Sequence, residues 1–156
     1  MRPINYIVVH CTESQPTEKL GDLKNKWREK TTLKSPPFHF IIHPNGEVEK
    51  LLWEGFVAPG SNAKNKECIH IAYMGGINHE GNPVDNRTQR QNEALFYKLV
   101  QLSDDFRDAQ IIGLRDLPDE KTVNPCFDVK EWIKNYVPDL SLDKEDMLME
   151  DELMAA

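Results

Sequence analysis

The most informative stretch of this chain is Ile111-Ile112-Gly113-Leu114-Arg115-Asp116. Its apolar start and charged end predict a buried strand over residues 109–114 that runs out into a polar loop. Leu114 stands at the junction of strand and loop. Similar strand signals lie nearer the amino terminus, so the sequence predicts that a β-sheet forms the centre of the fold.

Four more strands are predicted from apolar runs that are bounded by turn residues. They lie at residues 4–10, 38–43, 48–53 and 68–74. The turn sequence Pro-Asn-Gly-Glu at 44–47 predicts that the two middle strands form a hairpin.

Helices are predicted in three places. Leu20, Leu23 and Trp27 share one helical face, which predicts a helix over residues 18–30. A second helix is expected to begin at the capping box formed by Thr88 and Gln91, and a short third one lies near residues 129–135. The order of strands and helices predicts an α/β fold, a single-domain central mixed β-sheet flanked by helices, over residues 1–138.

Composition is that of an ordinary globular protein. Of 156 residues, 39% are hydrophobic and 29% are charged. No apolar run approaches the length of a membrane span, and no signal peptide is visible, so we expect a cytoplasmic protein without membrane partners. Three widely spaced cysteines, Cys11, Cys68 and Cys126, are typical of reduced thiols rather than a disulfide framework.

The net charge of -7 is concentrated at the carboxyl terminus. Residues 139–156 hold seven acidic residues and one lysine. Because the remainder is nearly neutral, the sequence argues against binding to a nucleic-acid backbone. The acidic tail is either a solvated terminus or a short amphipathic helix that docks on a protein partner.

Several segments in order resemble one known family. They are VVHCT at 8–12, FHFII at 38–42 with NGEV at 45–48, GSNA at 60–63, CIHIAYMGG at 68–76, GLRD at 113–116 and NPCFDV at 124–129. Together they resemble the zinc-dependent N-acetylmuramoyl-L-alanine amidases and peptidoglycan recognition proteins, including the phage amidase-lysozymes. The resemblance extends from about residue 4 to residue 136 and implies an amidase-like fold.

The resemblance also implies where zinc would bind, and the residues there have changed. The family holds zinc with two histidines and a cysteine, which correspond here to His10, Leu114 and Asn124. A family tyrosine corresponds to Phe38, and a family lysine corresponds to Thr122. Leucine offers no lone pair and a carboxamide is a poor zinc ligand, so we expect no zinc cofactor and no catalytic residues.

The expected function is therefore binding rather than hydrolysis. The resemblance implies a catalytically inactive amidase-fold protein that holds a muramyl peptide, or a sequestered small anionic or nucleotide signal, as a phage decoy or inhibitor. The candidate ligand-binding residues are His10, Phe38, Trp53, Asn62, Lys64, His70, Arg115 and Asn124. For some of them a structural role is the alternative: His10 as a satisfied core histidine, Trp53 as aromatic packing, and Lys64 as part of a solvated loop.

Two other functions stay open. The first is an active zinc-dependent amidase whose metal site has been rebuilt from His10, Asp116 and Cys126. The second is a regulator that binds proteins through its surface or its acidic tail.

Overall fold

The computed structural model describes residues 1–30 and 35–138. The strands are β1 (Tyr6–Cys11), β2 (Phe40–Ile42), β3 (Val48–Lys50), β4 (Cys68–Tyr73) and β5 (Gln110–Gly113). The helices are α1 (Leu20–Lys30), α2 (Gln89–Asp105) and α3 (Val129–Asn135). The predicted acidic tail, 139–156, lies outside the described residues.

The five strands form one mixed sheet in the order β3-β2-β4-β1-β5. The central strand β1 runs parallel to both of its neighbours, β4 and β5. On the far side, β2 is parallel to β4 and antiparallel to β3, which is its predicted hairpin partner. The predicted fold class, a central mixed sheet flanked by helices, is confirmed.

Alternation along the strands divides the core into two layers, because successive side chains of a strand point to opposite faces. On one face, apolar residues of β1, β2 and β4 pack against Leu95 of α2 and Val129 of α3. The strand residues include Ile7, Val9, Cys11, Phe40, Ile71 and Tyr73. On the other face, Ile41 packs with Leu23 of α1, while Val8 packs with Ile112 and Leu114.

The predicted capping box at the start of α2 is present. The hydroxyl of Thr88 accepts a hydrogen bond from the N–H of Gln91 at 3.0 Å, and the side chain of Gln91 accepts one from the N–H of Thr88 at 2.9 Å. The Gln91 amide group also donates to the carbonyls of Ile42 and Met74. The cap therefore joins α2 to the ends of β2 and β4 as well as starting the helix.

The strand predicted over 109–114 ends earlier than expected. β5 stops at Gly113, and Leu114 begins a short 3-10 turn, Leu114–Asp116. The carboxylate of Asp116 accepts a hydrogen bond from the N–H of Gly113 at 2.9 Å, which closes this turn. In the part of the chain that the structure describes, none of the helices has both the length and the apolar character that crossing a bilayer requires.

Candidate functional site

A cleft of about 290 Å³ opens on the α1 face of the sheet, beside the carboxyl end of β1. Ligand sites of parallel sheets commonly form at the carboxyl ends of the strands. The cleft brings together four residues that the sequence singled out: His10, Phe38, Leu114 and Asn124. Trp27 of α1 also lines the cleft.

His10, at the base of the cleft, is hydrogen-bonded to a second histidine behind it. His10 Nε2 lies 2.7 Å from Nδ1 of His70, and Nε2 of His70 lies 3.0 Å from Oδ1 of Asn65. Asn65 Oδ1 also accepts from the N–H of Ser61, which fixes it as the oxygen. His70 therefore carries its proton on Nε2 and accepts from His10, and the lone pair left to His10 is on Nδ1.

Burial keeps this histidine pair neutral. Desolvation lowers the pKa of His10 to about 3. The pKa of His70 is lowered well below its ordinary value, first by burial and then by the neighbouring His10, His39 and Arg2. A buried imidazolium without a counter-ion costs free energy, so both rings act as hydrogen-bonding groups rather than charges at neutral pH.

His39 and Arg2 hold the segments next to the His10–His70 pair in place. His39 Nδ1 accepts from the N–H of His70 at 3.0 Å, and its Nε2 lies 2.8 Å from the carbonyl oxygen of Phe56. Burial lowers the pKa of His39 as well. The guanidinium of Arg2 donates to five backbone carbonyls, those of Glu54, Phe56, Asn65, Lys66 and Cys68, and so joins the amino terminus to the loop before β4.

Phe38 places an aromatic surface in the cleft wall. Its ring centroid lies 4.9 Å from that of His10 and 5.6 Å from that of Trp27, in a T-shaped contact with the indole. Phe38 itself is buried, whereas Trp27 is half-buried. The row of rings therefore leads from the base of the cleft to an indole on α1 that a ligand can reach.

Asn124 is held against the end of β1. Its Oδ1 accepts from the N–H of Cys11 at 2.8 Å, and its Nδ2 donates to the carbonyl of Cys11 at 3.1 Å. β5 pairs with β1 only as far as Val9 and Gly113. The Asn124 side chain thus takes the place of a further strand residue, and the hydroxyl of Thr122 accepts from its backbone N–H.

Both signs of charge line the cleft. Glu13 and Glu18 stand on the loop after β1, and Lys26 and Lys30 stand on α1. Lys26 and Glu18 form an ion pair with each other. The lining therefore suits a ligand that has both acidic and basic or amide groups better than a polyanion.

The other predicted ligand residues lie elsewhere. Trp53 is 56% exposed and makes a T-shaped contact with Phe56 at 5.5 Å. Asn62 donates to the carboxylate of Glu120. Lys64 has a left-handed backbone with φ of 65° and lies 4.0 Å from Glu67.

Arg115 and His70 complete this set. Arg115 is exposed, and its backbone N–H donates to the carbonyl of Asn124. His70 is fully buried behind His10, and both of its ring nitrogens are engaged.

Sequence reasoning missed the contribution of α1 and its preceding loop to the cleft. The helical face of Trp27 was predicted, but no local pattern shows that this face meets Phe38. Glu13, Lys26 and Lys30 carried no motif that distinguishes them from other surface charges.

The mixed five-stranded sheet with its flanking helices matches the folds of solved amidases and peptidoglycan recognition proteins. The N-acetylmuramoyl-L-alanine amidase LysC from Clostridium intestinale matches with a TM-score of 0.70 at 19% identity, over 85% of this chain and 84% of that one. The complex of peptidoglycan recognition proteins LCa and LCx with tracheal cytotoxin matches with a TM-score of 0.61 at 20% identity, over 87% of this chain and 84% of that one.

Sequence comparison then gives the family. The chain is 30% identical to the endolysin of Enterobacteria phage T3 over 129 residues, which span 81% of this chain and 83% of the endolysin. It is 29% identical to the endolysin of Klebsiella phage KP32 over 127 residues, with the same coverage. No protein-family model matches the chain. The chain belongs to the N-acetylmuramoyl-L-alanine amidase and peptidoglycan recognition protein family, and phage endolysins are among its relatives.

Zinc, which the family implies, does not fit the residues at this site. Leu114 is aliphatic, and both polar atoms of the Asn124 amide are engaged by the backbone of Cys11. Within residues 1–30 and 35–138, no three side chains of His, Cys, Asp or Glu are grouped so that they could hold a metal ion. The alternative set of His10, Asp116 and Cys126 is therefore not assembled around one point.

Proposed function

We propose that this protein is an amidase-fold binding protein whose cleft holds a muramyl peptide without hydrolysing it. The observation that carries the proposal is the state of Asn124, whose amide is committed to the backbone of Cys11 at the position where the resemblance implies a thiolate ligand. With Leu114 at a second ligand position, the metal that would activate water has no place to bind.

Binding without cleavage is supported by what the cleft retains. The sheet, α1 and the adjoining loops form the concave surface, and none of them depends on a metal ion. The rings of Phe38 and Trp27 offer stacking surface to a sugar or an apolar side chain.

The charges of the cleft favour a muramyl peptide over a nucleotide signal. A muramyl peptide has carboxylates, amides and, in many stem peptides, a free amine, which match the mixture of Glu13, Glu18, Lys26 and Lys30. A polyanionic nucleotide would meet the two carboxylates and would gain little from a lysine already paired with Glu18.

Calorimetric titration with a soluble muramyl pentapeptide tests the proposal, with a cyclic dinucleotide titrated in parallel. We expect saturable binding of the muramyl peptide, a loss of at least about tenfold in affinity for Trp27→Ala, and unchanged affinity for the matched control Trp53→Ala. Stronger binding of the cyclic dinucleotide, or no binding of the muramyl peptide, contradicts the proposal.

The same samples separate binding from catalysis. Incubation with and without added zinc, followed by chromatography and mass spectrometry, is expected to leave the muramyl peptide intact. Zinc-dependent release of the free stem peptide would establish the alternative, an active amidase with a rearranged metal site.

A further inference from the structure

A second cavity, of about 260 Å³, adjoins the cleft and contains two cysteines in its wall, Cys11 and Cys126. Glu13, Lys30 and Asn124 line both spaces, so the cavity continues the cleft past the end of β1. Neither thiol has a part in the proposed binding of a muramyl peptide.

The two thiols meet at Gly76. A Cβ atom added to Gly76 would lie 2.4 Å from Sγ of Cys11, and Sγ of Cys126 lies 3.7 Å from the carbonyl oxygen of the same glycine. Burial is the main cause that raises the pKa of Cys11, and the charge of the neighbouring Cys126 raises it further. Sequence separates these residues widely, and the fold brings them together at the junction of β1 with the loop before α3.

The two cysteines differ in how easily a reagent reaches them. Cys11 is 1% exposed and packs in the main core. Cys126 is half-buried, faces the cavity and has a left-handed backbone with φ of 74°. Cys126 is therefore the thiol that an oxidant reaches first. Cys11 is the neighbouring thiol that can then attack the oxidised Cys126 sulfur.

We propose that Cys11 and Cys126 form a reversible disulfide when the protein meets a small disulfide oxidant such as oxidised glutathione. The thiolate of Cys126 attacks one sulfur of the oxidant, which forms a mixed disulfide and releases one glutathione thiolate. The thiolate of Cys11 then attacks the Cys126 sulfur and releases the second glutathione. The two cysteines lose two protons and two electrons, and the oxidant takes up both.

The bond would join the same two segments that Asn124 joins by hydrogen bonds. It would fix the loop that carries Asn124 to the end of β1 and close a loop of about 115 residues in the unfolded chain. Oxidation would thereby stabilise the fold and make the floor of the cleft rigid.

The test uses the full chain in glutathione buffers of graded ratio, followed by intact mass measurement and peptide mapping without reduction. We expect a species that has lost two hydrogen atoms, a peptide that links Cys11 to Cys126, free Cys68, and reversal by dithiothreitol. The melting temperature of the oxidised protein is expected to rise by about 5–15 °C.

Two variants make the result decisive without altering buried Cys11. Cys68→Ser, matched in chemistry, is expected to oxidise as the natural chain does, whereas Cys126→Ser is expected to show neither the mass change nor the rise in melting temperature. A persistent glutathione adduct on Cys126, a bond that includes Cys68, or no modification at all overturns the proposal.

Discussion

The side-chain amide of Asn124 forms two hydrogen bonds with the backbone of Cys11: its Oδ1 accepts from the N–H at 2.8 Å, and its Nδ2 donates to the carbonyl at 3.1 Å. Asn124 stands where the resemblance implies the zinc-binding cysteine of the family. Its side chain pairs with the end of β1 as the next residue of a neighbouring strand would. Because it is 4% exposed, its two hydrogen bonds are shielded from water. The same contact stabilises the fold and engages both polar atoms of the amide.

Replacing Asn124 by aspartate is expected to destabilise the protein by about 2–4 kcal/mol at pH 7.5. A carboxylate cannot donate to the Cys11 carbonyl, and its charge would be buried. Urea unfolding of Asn124→Asp measures the loss, with Asn82→Asp in an exposed loop as the control, where we expect a change within about 0.5 kcal/mol. An equal loss of unfolding free energy in the two variants would show that the Asn124 contact does not stabilise the fold more than an exposed asparagine does.

Stability is expected to fall as pH drops below neutrality, because three buried histidines must stay neutral. The pKa of His10 is about 3 in the folded state, against about 6.5 in the unfolded chain. The unfolded state therefore binds more protons between these values, and stability is complete above about pH 6.5 and is lost progressively toward about pH 3. For His10 alone the loss at pH 5 is about 2 kcal/mol.

Unfolding free energies at several pH values from 7.5 to 4.5 check this dependence. His10→Gln keeps a donor for His70 but does not titrate, so its stability should vary less steeply with pH than that of the natural chain. His79→Gln, in an exposed loop, should follow the natural chain. A His10→Gln profile as steep as the natural one would mean that other groups set the acid sensitivity.

Arg2 is expected to contribute far more to the free energy of unfolding than an ordinary surface arginine does. Its guanidinium donates to five carbonyls of residues 54–68, a pattern that the three donors of a lysine cannot reproduce. We expect Arg2→Lys to cost about 2–3 kcal/mol of unfolding free energy, whereas Arg28→Lys on the exposed face of α1 costs less than about 0.5 kcal/mol. If chemical denaturation gives the two variants the same midpoint, the Arg2 contacts do not hold the loop.

Restoring the family's ligands is expected to create a zinc site. The variant L114H/N124C places an imidazole and a thiol beside His10, which supplies three ligands of the types that zinc prefers. Zinc should raise its melting temperature and bind at least about 100-fold more tightly than to the natural chain. L114H/N124S, which lacks the thiol, is the control, and an equal response of that variant to zinc would contradict the assignment of position 124.

The sequence predicted the architecture well because the decisive signals are local. Strand runs, the hairpin turn at 44–47 and the capping box at Thr88 each depend on neighbouring residues. The 3-10 turn at Leu114 was missed, because the hydrogen bond from Gly113 to Asp116 that closes it leaves no distinct pattern.

Features that join distant segments could not be read in this way. His70 was predicted to bind a ligand directly, whereas the parallel register of β1 and β4 puts it behind His10. Arg2 was overlooked because its partners are backbone carbonyls, which any sequence provides. Similarly, the part of Trp27 in the cleft depends on how α1 packs, not on its own helical pattern.

Zinc content measured together with hydrolysis tests the central claim most directly. The natural chain is purified without chelators and equilibrated with a slight excess of zinc. After a desalting column removes unbound zinc, the zinc content per chain is measured by elemental mass spectrometry. We expect less than about 0.1 zinc per chain and no cleavage of muramyl peptide, because His10 alone cannot retain the ion. One zinc per chain that disappears in His10→Gln, with zinc-dependent cleavage of the muramyl peptide, would contradict the account.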